Sequence, residues 1–189
     1  MSVNSNEILI TKQLAVGYSS KKRTNVIANS INLTLQKGKL ITLVGANGIG
    51  KSTLLRTLTG IQKPLSGNVF LEDKNIQSLD DLTLAKNLSL VLTEKLPPSN
   101  LTVFELVALG RQPYTNWLGK LSENDLKIIN EVIAITQIEE LLEKKHFEVS
   151  DGQLQKVMIA RALAQDTSII ILDEPTTHLD LLHKVSVFK

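Results

Sequence analysis

Residues 45–53 read GANGIGKST and follow the apolar run LITLV at 40–44. A reverse turn needs one glycine, at most two. Here three glycines, one lysine and two hydroxyl residues share nine positions at the end of an expected buried strand. The spacing Gly45-xxxx-Gly50-Lys51-Ser52 is that of a phosphate-binding loop. Glycines let the backbone close around phosphate oxygens, so that successive N–H groups point inward. A helix starting at Lys51 adds the positive end of its dipole. The Lys51 ammonium reaches outer phosphates, and the Ser52 hydroxyl is placed to ligate a magnesium ion. A glycine-rich turn with an incidental lysine would need neither a strand before it nor a helix after it.

Such a loop predicts a second strand that brings a carboxylate to the metal. SIIILDEP, 168–175, is apolar until it ends in two acids and a proline. Asp173 fits the metal carboxylate. Glu174 is expected on the opposite side of the strand end, where it could activate an attacking water. The plainer reading of Asp-Glu-Pro is a strand terminated by solvated charge, and the glycine loop argues against it.

Working outward, ILITKQLA (8–15) reads as a strand, with a turn at Gly17. SINLTLQ (30–36) alternates Ile31, Leu33 and Leu35 with polar residues, as a half-buried strand does. Lys37-Gly38 reads as a tight turn. LITLV and LSLVL (88–92) carry the pattern of strands buried on both faces. LLRTLTG (54–60) continues the loop helix to Gly60, and GNVFLE (67–72) reads as an edge strand. From about 100 to 147 the pattern turns helical. Thr102 and Glu105 have capping-box spacing. A helix from Ser122 places Leu126, Ile129, Ile133, Ile128 and Val132 on one stripe. SDGQLQKVMIARALAQ (150–165) reads as an amphipathic helix.

Composition excludes several classes. Lys+Arg total 21 and Asp+Glu 19, a net charge of +2, so no concentrated basic footprint for nucleic acid is expected. There is no cysteine, which removes disulfides and thiolate metal sites. No apolar run approaches the roughly twenty residues of a membrane helix, and MSVNSNEILITKQ lacks the pattern of a secretory signal. A role at a membrane would be played from outside the bilayer.

With these residues in hand, the chain resembles the ATP-binding-cassette (ABC) ATPases. The resemblance is carried by GANGIGKST, VSDGQLQKVMIARALAQ and SIIILDEPTTHLD, in that order, and extends over nearly the whole chain. It implies an α/β fold: a P-loop NTPase core with a mostly parallel sheet, an N-terminal antiparallel β subdomain and a helical insert. Residues 1–189 would be a single ABC ATPase domain. Its core would comprise 1–92 and 148–189, and its helical subdomain about 100–147.

By position, the resemblance makes Tyr18 the aromatic that stacks on adenine. Gly45, Asn47, Gly48, Gly50, Lys51, Ser52 and Thr53 become the cradle for ATP. Ser52 and Asp173 would hold Mg2+, with Glu174 as catalytic base beside Lys51. Ser150 and Gly152, in VSDGQ, match signature residues that touch the γ-phosphate bound to the other subunit. Asp180 matches the aspartate of a loop crossing between subunits. The implied partners are a second cassette in a head-to-tail homodimer, transmembrane permease subunits and, indirectly, a solute-binding protein, with no nucleic acid. The implied location is cytoplasmic, peripheral on the inner face of the cell membrane.

NLTVFELVALGRQPYTNWLGKLSENDL (100–126) resembles the helical insert of ATPases that serve importers of iron chelates, haem and cobalamin. Arg111, Pro113, Tyr114 and Trp117 are expected to form an aromatic-basic surface there. The chain departs from the family in three places. Thr93-Glu94 stands where the family has a glutamine, which would make Glu94 a candidate metal ligand. Asp151 replaces a signature glycine and is expected to point outward. The sequence stops at Lys189, which reads as a C-terminal truncation. The alternative functions are a soluble or regulatory ABC-type ATP-binding protein not coupled to transport, or a hydrolysis-deficient one.

Overall fold

The structure is a computed structural model that describes residues 6–92 and 96–174. Thr93, Glu94 and Asp180 lie outside the described residues. The chain divides between Leu84 and Ala85 into two compact units.

The first unit is built on β1 (Glu7–Ser19). β1 pairs antiparallel with β2 (Thr24–Ile31), with β3 (Thr34–Gln36) and with β4 (Ser66–Leu71), and β4 pairs with β5 (Lys74–Asn75). The sheet order is β2-β1-β4-β5, with β3 on the first half of β1. β1 serves two partners along one edge because it bulges between them. Gln13 turns left-handed at φ 47°, and its N–H donates to Asn32 Oδ1 at 2.8 Å. A bulge of this kind re-aims the strand without ending it. The expected turn at Gly17 is absent, since Gly17 lies inside β1 opposite Val26. GNVFLE is not an edge either, because the two-residue β5 covers its outer side.

Leu9, Leu14, Val16 and Val69 in this sheet are fully buried, and each such side chain contributes about 2 kcal/mol through apolar burial. Against β1 packs α1 (Lys51–Leu58), whose Leu58 is buried. α1 stops where expected: Thr59 caps it, and Gly60 follows at φ 78°.

A third expectation fails in this unit. Residues 40–44 are in no strand, and Leu40 and Val44 are 81% and 85% exposed. Apolar character drives burial, but a strand also needs backbone partners. Among the described residues of its unit this segment pairs with none.

α2 (Asp81–Asn87) leads into the second unit. There β6 (Leu88–Val91) and β7 (Ile169–Leu172) pair in parallel, Leu88 with Ile169 through Val91 with Leu172. This pair is the parallel sheet seen among the described residues. The rest of the unit is helical: α3 (Val103–Ala108), α4 (Glu123–Thr136) and α5 (Asp151–Ala164). α3 and α4 both pack on α5, around Val103, Val107, Ile129, Ile138 and Val157. Of the predicted stripe on α4, Ile129, Val132 and Ile133 are buried, whereas Leu126 is 40% exposed. Each helix starts on a capping box: Thr102 with Glu105, Ser122 with Asp125, and Ser150 with Gln153.

Candidate functional site

In the first unit the glycine loop runs exposed from Gly45 to Ile49 into α1. The Ile49 N–H donates to Ala46 O at 3.4 Å, closing a turn. Gly48 and Gly50 both adopt left-handed backbone, at φ 77° and 104°. Gly50 is the stringent one, because a Cβ there would drive into the Ile27 side chain. The Lys51 ammonium folds back over the loop and donates to Gly45 O at 2.9 Å and Ala46 O at 3.0 Å. The N-cap of α1 is Gly50, which has no side chain to cap it, and the first turn holds no acid. The first N–H groups of a helix need partners from outside it, so the start of α1 suits an anion. Ser52 is the second residue of that helix, with its hydroxyl in the same first turn.

Tyr18 is brought to this helix by β1. Its hydroxyl lies 3.1 Å from Thr53 Oγ1, while the side chain is half exposed. The aromatic therefore stands beside the loop helix with ring surface still uncovered. Thr53 itself is buried, and its carbonyl accepts from Thr57 Oγ1 at 2.8 Å. The donor set fits a polyphosphate: a lysine ammonium, loop amides and an uncapped helix start, with an aromatic surface adjacent.

In the second unit β7 ends in Asp173 and Glu174. The Asp173 N–H extends the ladder to Val91 O at 2.9 Å. Asp173 is 2% exposed, whereas Glu174 is exposed. The two acids lie just past β7 in a bend, where Glu174 turns left-handed at φ 47°, and they occupy different environments. A buried carboxylate is a hard oxygen ligand of the type that magnesium takes.

The start of α5 is differently built. Ser150 Oγ accepts from Gln153 N–H at 3.3 Å, and Gln153 Oε1 accepts from Ser150 N–H at 2.9 Å. The serine can still donate its own proton outward. Asp151 is exposed in the first turn, as expected, where its charge complements the helix dipole.

The expected aromatic-basic surface is only partly one. Trp117 is 90% exposed and Tyr114 37%. Arg111 is not on it: the side chain is buried, with Nε donating to Asp125 Oδ1 at 2.8 Å. A guanidinium survives burial when its donors are matched, and this one is matched by a carboxylate and by a backbone carbonyl of α5. The Ser122 hydroxyl, then its N–H, then Arg111 hold the Asp125 carboxyl below its ordinary pKa, against the opposing effect of burial. Burial pushes the Tyr114 phenol up, with Arg111 opposing. The Arg111–Asp125 pair was not expected. The Ser122-x-x-Asp125 spacing was a visible signal for the cap, but nothing local pointed Arg111 inward.

Known proteins provide an independent comparison. A family model described as ABC transporter matches residues 28–177. An uncharacterised ABC transporter ATP-binding protein of Methanocaldococcus jannaschii is 47% identical over 180 residues, which are 95% of this chain and 61% of the relative. The iron(3+)-hydroxamate import ATP-binding protein FhuC of Bacillus subtilis is 40% identical over 181 residues, 96% of this chain and 66% of the relative. The chain thus spans about three fifths to two thirds of the length of these curated relatives. Among solved structures, a dimeric post-hydrolysis ATP-binding cassette bound to ADP and Pi aligns with TM-score 0.81 and 28% identity, over 95% of this chain and 79% of that one. No described helix is long and apolar enough to cross a membrane.

Proposed function

The chain belongs to the ABC transporter family, and from that premise we propose that it binds and hydrolyses ATP to power an importer of an iron(III)-siderophore, haem or cobalamin. The observation that carries this is Lys51, hung over Gly45 and Ala46 beside the uncapped start of α1. The iron-hydroxamate relative supports the cargo class. On this reading residues 1–189 form one ATPase domain, with core 1–92 and 148–189 and helical subdomain about 100–147.

Each residue then has a task. Tyr18 stacks on the adenine. Gly45, Asn47, Gly48, Gly50 and Thr53 shape the loop whose amides take the phosphates. Lys51 leaves its loop carbonyls for the outer phosphates, exchanging two neutral acceptors for charged ones. Magnesium, when bound, would neutralise charge on the phosphate oxygens, and Ser52, Asp173 and Glu94 would be its ligands. Glu174 takes a proton from water as the water oxygen bonds to the γ-phosphorus, and the bond from that phosphorus to the bridging oxygen breaks, leaving ADP. Ser150 and Gly152 offer a hydroxyl and an N–H to the γ-phosphate held by a second copy in a head-to-tail dimer, and Asp180 would serve the loop that crosses between the copies. The permease subunits dock on the helical part, at the inner face of the cell membrane, and a solute-binding protein delivers the cargo outside.

Titration calorimetry with Mg-ATP, followed by phosphate release, tests this. Unaltered protein is expected to bind and turn over. Glu174→Gln should bind and lose at least about a hundredfold in turnover. Absence of nucleotide binding by the unaltered gene product overturns the reading. For cargo, cells lacking the gene should lose uptake of a labelled iron-siderophore, haem or cobalamin, and regain it with the wild-type gene but not with Lys51→Ala.

A further inference from the structure

α5 is held differently at its two ends. Its start caps itself, but its last carbonyls are taken by another part of the chain. The 3-10 segment Leu109–Tyr114 lies against that end. Arg111 Nη1 donates to Ala164 O at 2.9 Å, and the Tyr114 hydroxyl donates to Gln165 O at 3.1 Å and Asp166 O at 3.4 Å. The Arg111 guanidinium also lies over the Tyr114 ring, 3.9 Å from its centroid. Gly110 lets this contact form, because a Cβ there would drive into Arg161 O and come within 3.0 Å of Ala164 Cβ. Just beyond the helix, Gln165 Nε2 donates to Ala85 O at 2.6 Å and Leu88 O at 3.1 Å, which ties the same point to the start of β6.

Water or a glycine would satisfy a helix end more cheaply than a buried ion pair. Buried pairs are weak evidence of stability. What a guanidinium fork adds is direction, because its donors leave a rigid plane at fixed angles. One edge of that plane is pinned to Asp125, whose other oxygen is locked by Ser122. The other edge grips α5. A 14-residue helix is about 20 Å long and moves as a rod, so the seat at Ala164 governs where Ser150 and Gly152 sit at the far end. The strand that follows the same end carries Asp173 and Glu174.

We propose that Arg111 is a positioning residue for ATP turnover: through Asp125 and Ala164 it fixes the seat of α5, and with it the placement of Ser150, Gly152, Asp173 and Glu174. The proposal rests on the roles assigned to those four residues above.

The test uses the full gene product. Arg111→Met combined with Asp125→Leu replaces the pair by apolar groups of similar size, a change that proteins often tolerate. The expected result is a cooperative fold, KM for ATP within about threefold of wild type and kcat lower by about 10- to 100-fold. Arg111→Lys, which keeps the charge but not the fork, should lose nearly as much kcat. Tyr114→Phe removes only one donor and should lose about two- to fivefold. A wild-type kcat in the double variant overturns the proposal; if that variant fails to fold, a wild-type kcat in both Arg111→Lys and Tyr114→Phe does so. Amide exchange at residues 150–153 is read in parallel and is expected to quicken about tenfold or more in the altered proteins. If unaltered protein shows no ATP turnover, the functional reading falls, and unchanged exchange at 150–153 then overturns the positioning role by itself.

Discussion

The starts of α1 and α5 are both helix N-termini, and they are made by opposite rules. α5 satisfies itself: Ser150 and Gln153 exchange hydrogen bonds, and Asp151 sets a negative charge in the first turn. α1 begins on a left-handed glycine, lacks a side-chain cap and carries a lysine where an acid would be favourable. By local energetics α1, with glycine at its N-cap, forgoes only a few tenths of a kcal/mol of capping and roughly as much again from the dipole. A terminus that supplies its own partners is a structural beginning. One that declines them leaves its donors for something brought from outside. The same comparison limits what Ser150 can do for a phosphate. One of its two lone pairs is committed to Gln153, and to an anion it offers its hydroxyl proton.

The largest test of this contrast is Lys51→Ala. If the loop end of α1 is kept for an anion, Mg-ATP should bind about a hundredfold more weakly, close to 3 kcal/mol, as expected for a lost charge-assisted bond. Thermal unfolding should barely move, because the two carbonyls that Lys51 meets are on an exposed loop. A protein that melts early yet binds nucleotide normally would make Lys51 a pin for the loop, and the contrast would break. Gly50→Ala comes next. Its φ of 104° and the Ile27 side chain leave no room for a Cβ, so urea unfolding should show a loss of about 2–3 kcal/mol. Full stability in that variant would mean that α1 can begin in an ordinary way.

Acid separates the capping boxes from one another. The box on α4 closes with a carboxylate, Asp125, and that on α5 with an amide, Gln153. Because the folded pKa of Asp125 is depressed, its contribution is whole above the ordinary carboxylate value near 4 and is lost as pH falls through the lower, folded value. Amide exchange in the first turn of α4 should therefore quicken below about pH 4, and by more than at 150–153, which a neutral Asp125 reaches only through Arg111 and Ala164 O. Equal sensitivity of the two helices would sink the distinction. Smaller again is Ser150→Ala, which should cost about 1 kcal/mol in urea unfolding through the lost cap. A cost near zero would show that the seat at Ala164 holds α5 without its box.

Much of this contrast could be read before any coordinates, and the reason is that it is local. Glycine spacing, cap residues and their partners three positions on lie within one turn of chain. Thr102 with Glu105, Ser122 as a helix start and the strands at 88–91 and 169–172 fall where the pattern puts them. What escaped was long-range. LITLV reads as a buried strand because hydrophobicity is visible and backbone partners are not. β4 looked like an edge because a two-residue partner leaves no periodicity to see. Arg111 looked like surface because charge usually is, whereas its acceptors lie 14 and 53 residues further along. Tyr18 was placed by resemblance, and its reach to Thr53 across 35 residues is a matter of how β1 packs on α1.

The smallest effect concerns Asp151, and it bears on whether the start of α5 is only a structural beginning. Its carboxylate is exposed and sits in the first turn of the helix. If its work is done on the dipole, Asp151→Asn should lower stability by about 0.5 kcal/mol at low salt, and the difference should vanish near 1 M, where the screening length is about 3 Å. Turnover of ATP should then stay within about twofold of wild type. If instead the carboxylate faces a γ-phosphate, removing its charge relieves a repulsion that salt screens poorly in a closed interface. Turnover, or the affinity of the nucleotide-bound dimer, would then rise severalfold at every salt concentration. Salt dependence thus distinguishes the two, because a charge that serves its own helix in water is screened away and a charge pressed against a phosphate is not.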